Sequence, residues 1–206
     1  MYLTELQLDA LKEVINLGVG YAAGSLNELV GTPISLRVPD VDIMCLDEAR
    51  LRATALGWSR VASVHLAFSG PLKGNVALVF PYDSAVKLVS LLTGDEGGNP
   101  DVDGIRAATL EETGNIILNG VVGSISNLLK GEISFSIPYY SEQGGLPARF
   151  SGADHTAPAQ IIFARARFGV AQEEIEGEIF LFFEMRSLES LVAALDRLIE
   201  QPADPC

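Results

Sequence analysis

Residues 8–39, LDALKEVINLGVGYAAGSLNELVGTPISLRVP, and residues 107–138, AATLEETGNIILNGVVGSISNLLKGEISFSIP, carry one short constellation twice. Glu13 and Asn16 stand three residues apart, and Pro39 follows after a gap of 22 residues; Glu112, Asn115 and Pro138 repeat that spacing 99 residues further on. At the same offset Leu11 falls on Leu110, Gly24 on Gly123, Ser25 on Ser124, Leu29 on Leu128 and Ser35 on Ser134. An internal repeat dictates architecture before any other feature does. This one also repeats polar side chains at helical spacing, which makes it a clue to function.

Working outward, Thr4-Glu5-Leu6-Gln7 reads as a capping box that opens a helix running to about Val30, where Gly31-Thr32-Pro33 stops it. A strand is expected over Ile34–Val38, closed by Pro39-Asp40, then a short amphipathic helix over 46–56. Val61–Phe68 alternates, with Val64, Leu66 and Phe68 on one side, so it predicts a half-buried strand. Gly74–Phe80 predicts another strand, and Asp83–Leu92 a helix. Gly94, Gly97, Gly98, Asn99 and Pro100 mark a linker over Thr93–Gly104. The second half replays the order: a helix over about Ile105–Lys130, a strand over Ile133–Ile137, a Gly/Pro-rich loop over Tyr139–Pro158, strands at Gln160–Phe168 and Gly177–Phe183, and a helix over Ser187–Ile199. Gly74, Leu78, Phe80, Ser84 and Leu88 match Gly177, Leu181, Phe183, Ser187 and Leu191 at an offset of 103, which places a four-residue insertion between the matched blocks. The expectation is one α/β domain, α+β-like in its segregation. Two repeats, about 1–95 and 104–200, are joined by the Gly-rich linker about a pseudo-two-fold axis, and an antiparallel sheet is covered by two long motif-bearing helices.

Composition bounds the function. A chain of 206 residues with 48% hydrophobic content can bury a substantial core. A net charge of −13 repels phosphate backbones and argues against nucleic acid. Apolar runs fall short of the roughly 18 residues that cross a bilayer. The start, Met1-Tyr2-Leu3-Thr4-Glu5-Leu6, has no basic n-region, so export is not expected. Cys45 and Cys206 read as free thiols of a reducing cytosol.

Residues three or four apart on a helix are neighbours, so Glu13 with Asn16, and Glu112 with Asn115, project together. Gly20 lies one turn beyond the first pair and Asn119 one turn beyond the second. Gly18, Gly20 and Gly24, with Gly114, Gly120 and Gly123, are costly helix residues at on the order of 1 kcal/mol each. Close packing of the helices accounts for them, as does a face kept open for a partner. Other motifs fall away. Gly18-Val19-Gly20-Tyr21-Ala22-Ala23-Gly24 misses the dinucleotide spacing by one residue and follows no strand. His65 and His155 are 90 residues apart with no ligand set between them. Trp58 and the phenylalanines read as core.

The pattern of Asp9, Glu13, Asn16 and Pro39, and its second copy Glu112, Asn115 and Pro138 led by Ala108, resembles the signature of the CheC/CheX/FliY-type chemotaxis phosphatases. Two copies in one chain are more similar to CheC than to CheX. The resemblance implies a cytoplasmic, monomeric hydrolase that dephosphorylates the response regulator CheY, with Mg²⁺ on the phosphorylated partner and no cofactor of its own. It implies that Asn16 and Asn115 position the attacking water while Glu13 and Glu112 anchor the partner's lysine. The fuller first motif ranks that site above the second. The rival readings are a non-catalytic adaptor for CheY or the receptor deamidase CheD, and a flagellar-switch component related to FliY.

Overall fold

The computed structural model describes residues 3–31, 33–45, 47–49, 51, 60–94, 102–143, 160–170, 172–183 and 185–200. Helix α1 (Glu5–Val30) starts on the expected box: the Thr4 hydroxyl accepts from the Gln7 N–H, and the Gln7 side chain accepts from the Thr4 N–H. Gly31 ends it in the left-handed conformation that glycine adopts without cost. Then come β1 (Ile34–Cys45), β2 (Val61–Ser69), β3 (Gly74–Pro81), α2 (Tyr82–Thr93), α3 (Val102–Asn127), β4 (Ser134–Phe135), β5 (Tyr139–Gln143), β6 (Gln160–Val170), β7 (Glu173–Phe183) and α4 (Met185–Glu200).

The strands form one antiparallel sheet in the order β1-β6-β7-β3-β2, with β4 and β5 both pairing β2 at the far edge. Exchanging the two halves carries β1 onto β4 and β5, β2 onto β6, and β3 onto β7, and leaves this order unchanged. One buried cluster draws from both long helices and one face of the sheet. A smaller one, with Phe163, Phe180 and Phe182, lies among strand residues that alternate to the other face. Each fully buried side chain of this kind contributes about 1.5–3 kcal/mol.

The two long helices meet at Gly18 and Gly120. A Cβ on Gly18 would lie 2.4 Å from the Gly120 carbonyl oxygen, and a Cβ on Gly120 would lie 2.6 Å from that of Gly18. Backbone touches backbone there, so only glycine fits. Gly114 is pressed against Val64 of β2. Around Gly20, Gly24 and Gly123 the space is open, so packing does not explain them.

Several expected boundaries change, and β7 starts at Glu173, not Gly177. Strand β1 does not close at Pro39-Asp40 but runs on to Cys45. Its second-half counterpart is only Ser134–Phe135, not Ile133–Ile137. The loop expected from Tyr139 begins as a strand, because Tyr139–Gln143 pairs with β2 from His65 to Val61. Residues 47–49 are helical, as expected for 46–56, and most of that segment, with Trp58, lies outside the described residues. So do 95–101 of the linker, 144–159 with His155, and Cys206.

Candidate functional site

In the first half, the strand and the amide are built together. The β1–β6 ladder pairs Arg37 with Arg167 and then Asp40 with Arg165, so it skips Val38 and Pro39. This is a one-residue bulge, the kind of site where a strand tolerates proline. Asn16 fills the gap in the ladder. Its Nδ2 donates to the Val38 carbonyl at 2.9 Å, and its Oδ1 accepts from the Val38 N–H at 2.8 Å. The other Nδ2 proton goes to the Lys12 carbonyl at 3.0 Å. A backbone N–H can only donate and a carbonyl only accept, so these partners assign the amide's oxygen and nitrogen. Both donor protons are used. Val38 is 1% exposed, and its neighbour Pro39 is carried inside a continuous strand.

Glu13, one turn earlier, is exposed. Beyond it on the same helix lie Leu17 and Tyr21, 59% and 76% exposed. Asp9 and Lys12 border a groove between α1 and β1 whose other wall includes Pro39 and Asp40.

The second half spends the same residues differently. Glu112 is exposed and Asn115 half-buried, as in the first copy. Here, however, the clamp onto the strand is Glu111, whose carboxylate accepts from the Tyr140 N–H at 3.1 Å. The strand breaks between β4 and β5, and Ile137, the match of Val38, is 88% exposed. Asn115 instead faces Asn119 one turn on. The Asn119 Nδ2 donates to the Asn115 backbone carbonyl and to the Asn115 Oδ1, each at 2.7 Å. Since the carbonyl fixes Asn119's nitrogen, the near atom of Asn115 must be oxygen. Its Nδ2 makes no hydrogen bond among the described residues.

Beside this half lies a polar cluster that no local spacing announced. Glu142 on β5 accepts from the Tyr140 hydroxyl at 2.5 Å and pairs with Arg60 and, at 3.4 Å, with the buried Arg106. Arg106 also pairs with Asp103, and the Tyr82 ring has the Arg60 guanidinium at 3.7 Å and that of Arg106 at 5.1 Å. Burial pushes the Glu142 carboxyl up, but the Tyr140 hydroxyl and the two arginines outweigh it and hold the group below the usual carboxylate range. Burial, then the Glu142 carboxylate, pushes the Tyr140 phenol above its ordinary value. The cluster ties β5 to the first turn of α3.

All four expected site residues are thus on two packed helices, Glu13 with Asn16 on α1 and Glu112 with Asn115 on α3. Glu111, Asn119 and the strand partner Val38 complete the picture, and the sequence reading assigned none of them a role. Among the described residues no group of three or more His, Cys, Asp or Glu is arranged to hold a metal ion, and no helix is long and apolar enough to cross a membrane.

With an antiparallel sheet under two packed long helices, the chain is similar in fold and in sequence to chemotaxis proteins of the CheC/CheX/FliY type. In particular, the chain is 26% identical over 208 residues to the CheY-P phosphatase CheC of Bacillus subtilis (strain 168), covering 93% of this chain and 94% of that one. FliY of Thermotoga maritima shares the fold with a TM-score of 0.74 at 17% identity, over 96% of this chain and 99% of that one. The fold also matches a CheX–CheY–BeF3–Mg²⁺ complex from Borrelia burgdorferi, with a TM-score of 0.50 at 14% identity over 84% of this chain and 99% of that one. No family model matches the chain.

Proposed function

We infer that this protein is a phosphatase for the aspartyl phosphate of a response regulator of the CheY kind, and that its two repeats act as one domain. The observation that carries the reading is the Asn115 carboxamide, half-buried beside an exposed Glu112, with its Nδ2 protons uncommitted. Likeness to a CheY-P phosphatase along nearly the whole chain supports it.

Phosphoryl transfer passes through a loose transition state, so positioning and charge placement matter more than covalent help. In the reaction, a water oxygen forms a bond to phosphorus. The bond from phosphorus to the regulator's carboxylate oxygen breaks, and its electron pair leaves with that carboxylate. The water's proton passes to the phosphate released or to solvent. A neutral carboxamide suits this centre, because it brings no negative charge against the phosphoryl oxygens. The outward Nδ2 of Asn115 donates to the oxygen of the attacking water or to the phosphoryl group, and the second lone pair of Oδ1 is left to accept from the water. Mg²⁺ belongs to the partner. Glu112 anchors a cation of the regulator, a charge-assisted contact. Glu13 does the same at the first face. There Asn16 must release Val38 before it can reach a water, so the reading ranks the second half above the first and reverses the ranking drawn from Asp9 and Ala108.

A second reading, a non-catalytic adaptor for CheY or CheD or a component of the flagellar switch, draws on the FliY likeness and on the occupied amide of Asn16. Decay of acid-labile phosphate on purified CheY separates the two. Faster decay in the presence of this protein is expected; a stable complex with unchanged decay would leave only the adaptor.

A further inference from the structure

The match of Asn119 in the first repeat is Gly20, around which the space is open. Together with Lys12 against Glu111, this is a chemical difference within one turn of the two asparagines. In the second repeat, Asn119 spends both its Nδ2 protons on Asn115, one on the main chain and one on the side chain. A mid-helix asparagine that bonds only the carbonyl four residues back is ordinary local competition with the helix. The bond to Oδ1 is different, because it selects which end of the neighbouring carboxamide faces out.

Resting on the phosphatase reading above, we propose that Asn119 is a positioning residue. It locks Asn115 with oxygen inward and nitrogen outward, so that a hydrogen-bond donor faces the incoming phosphoryl group and its water. A freely rotating carboxamide has two faces of opposite polarity. The outward oxygen would meet the phosphoryl oxygens acceptor to acceptor, so only a fraction of encounters would find the amide poised to react. With Asn119 in place the amide is already poised, which is how preorganised donors contribute to a rate. The first repeat, with Gly20, has no such lock, and its carboxamide turns to the strand.

The test uses the full chain and a phosphorylated CheY, with single-turnover and saturating kinetics. Asn119→Ala is expected to lower kcat about tenfold with little change in KM, since the docking side chains are untouched. Asn119→Asp removes the donor and presents an acceptor, so Asn115 should turn its nitrogen inward and lose at least as much rate. In ¹⁵N spectra of the unliganded protein, the Asn115 side-chain amide should shift in both variants while the backbone amides of α1 and the sheet hold still. In an Asn115→Ala background, Asn119→Ala should add no further loss, because the two act as one unit. An unimpaired Asn119→Ala in a wild-type-active system overturns this inference alone, as does a full additional loss in the Asn115→Ala background. A wild-type protein that fails to speed phosphate loss overturns the phosphatase reading and this inference with it.

Discussion

The two repeats spell the same three residues and use them differently. In the first, Asn16 serves the fold: it supplies both hydrogen bonds that the bulge denies to Val38, and Pro39 follows inside an unbroken strand. In the second, Glu111 holds the strand by Tyr140, the strand opens at Ile137 and Pro138, and Asn115 is left to Asn119. The fixed interval from asparagine to proline is therefore partly architectural, because the residue before Pro39 is the one the amide grips. What separates the halves lies outside the shared pattern, at Lys12 against Glu111, Gly20 against Asn119, and Val38 against Ile137. A repeated motif establishes a repeated place in the fold. Whether the place is repeated in function depends on its neighbours.

The sharpest way to break this contrast is to truncate each amide and follow two readouts. Asn115→Ala should lower phosphate release from phosphorylated CheY by about a hundredfold, the scale on which misplaced catalytic geometry acts, and leave stability nearly unchanged. Asn16→Ala should keep most of the release yet destabilise the protein by about 1–3 kcal/mol, because Val38 is left with unmet backbone groups. Equal losses of release would erase the difference between the halves. An unimpaired double variant would remove the phosphatase mechanism altogether.

The crossing of the helices comes next in size. Gly18→Ala would set a methyl 2.4 Å from the Gly120 carbonyl oxygen, and overpacking of this kind costs about 1–3 kcal/mol. Gly20→Ala, two residues away, meets open space and should be neutral or stabilising by up to about 1 kcal/mol. Urea titration of both reads the contrast directly. Two equally destabilised variants would mean that the helices do not touch at Gly18 and Gly120.

Much of this was legible before any coordinates. Thr4 and Gln7 announce the cap and alternation finds β2, while close packing accounts for Gly18, Gly114 and Gly120 but not for Gly20, Gly24 and Gly123. The 3.6-residue period put each acid and amide on one helix. Pro39 misleads, because proline usually ends a strand and nothing local says that an asparagine 22 residues upstream of Val38 repairs the ladder. Tyr139–Gln143 reads as loop in the sequence for a related reason: its pairing with β2 and its tie to Arg60 and Arg106 are tertiary. The Arg60–Tyr82–Arg106–Tyr140–Glu142 cluster joins four separate segments, so no spacing rule reaches it. Asn119 was visible as a helical neighbour of Asn115, but its bond to Oδ1 was not.

The polar cluster gives a pH handle on the tie that holds β5. Glu142 is held below its ordinary range, so the folded state favours the charged carboxylate. The stability it contributes is complete above the unfolded carboxyl pKa, about 4.3, and is lost as pH falls through the lower folded value. Between roughly pH 6 and pH 3, wild type should therefore lose more stability than Glu142→Gln, whose side chain does not titrate. Parallel losses in the two proteins would show that β5 is not held by this carboxylate. The first repeat instead clamps its strand with an uncharged amide at Asn16.

The smallest effect comes from making the halves alike. Gly20→Asn puts an amide where the second repeat has one, in a helical position with room for it. The new side chain could bond the Asn16 carbonyl and compete for the Asn16 oxygen. Against it stands the Val38 N–H, buried and skipped by the ladder, whose loss would cost about 1–3 kcal/mol, while the competing bond returns a net of about 0.5–1.5 kcal/mol. Val38 should keep Asn16, so Gly20→Asn should change stability by less than about 1 kcal/mol and leave phosphate release where it was. A rise in release, above all in an Asn115→Ala background, would mean that the strand holds its amide more weakly than the two hydrogen bonds imply. The halves would then differ by one side chain, and not by the build of the strand each helix faces.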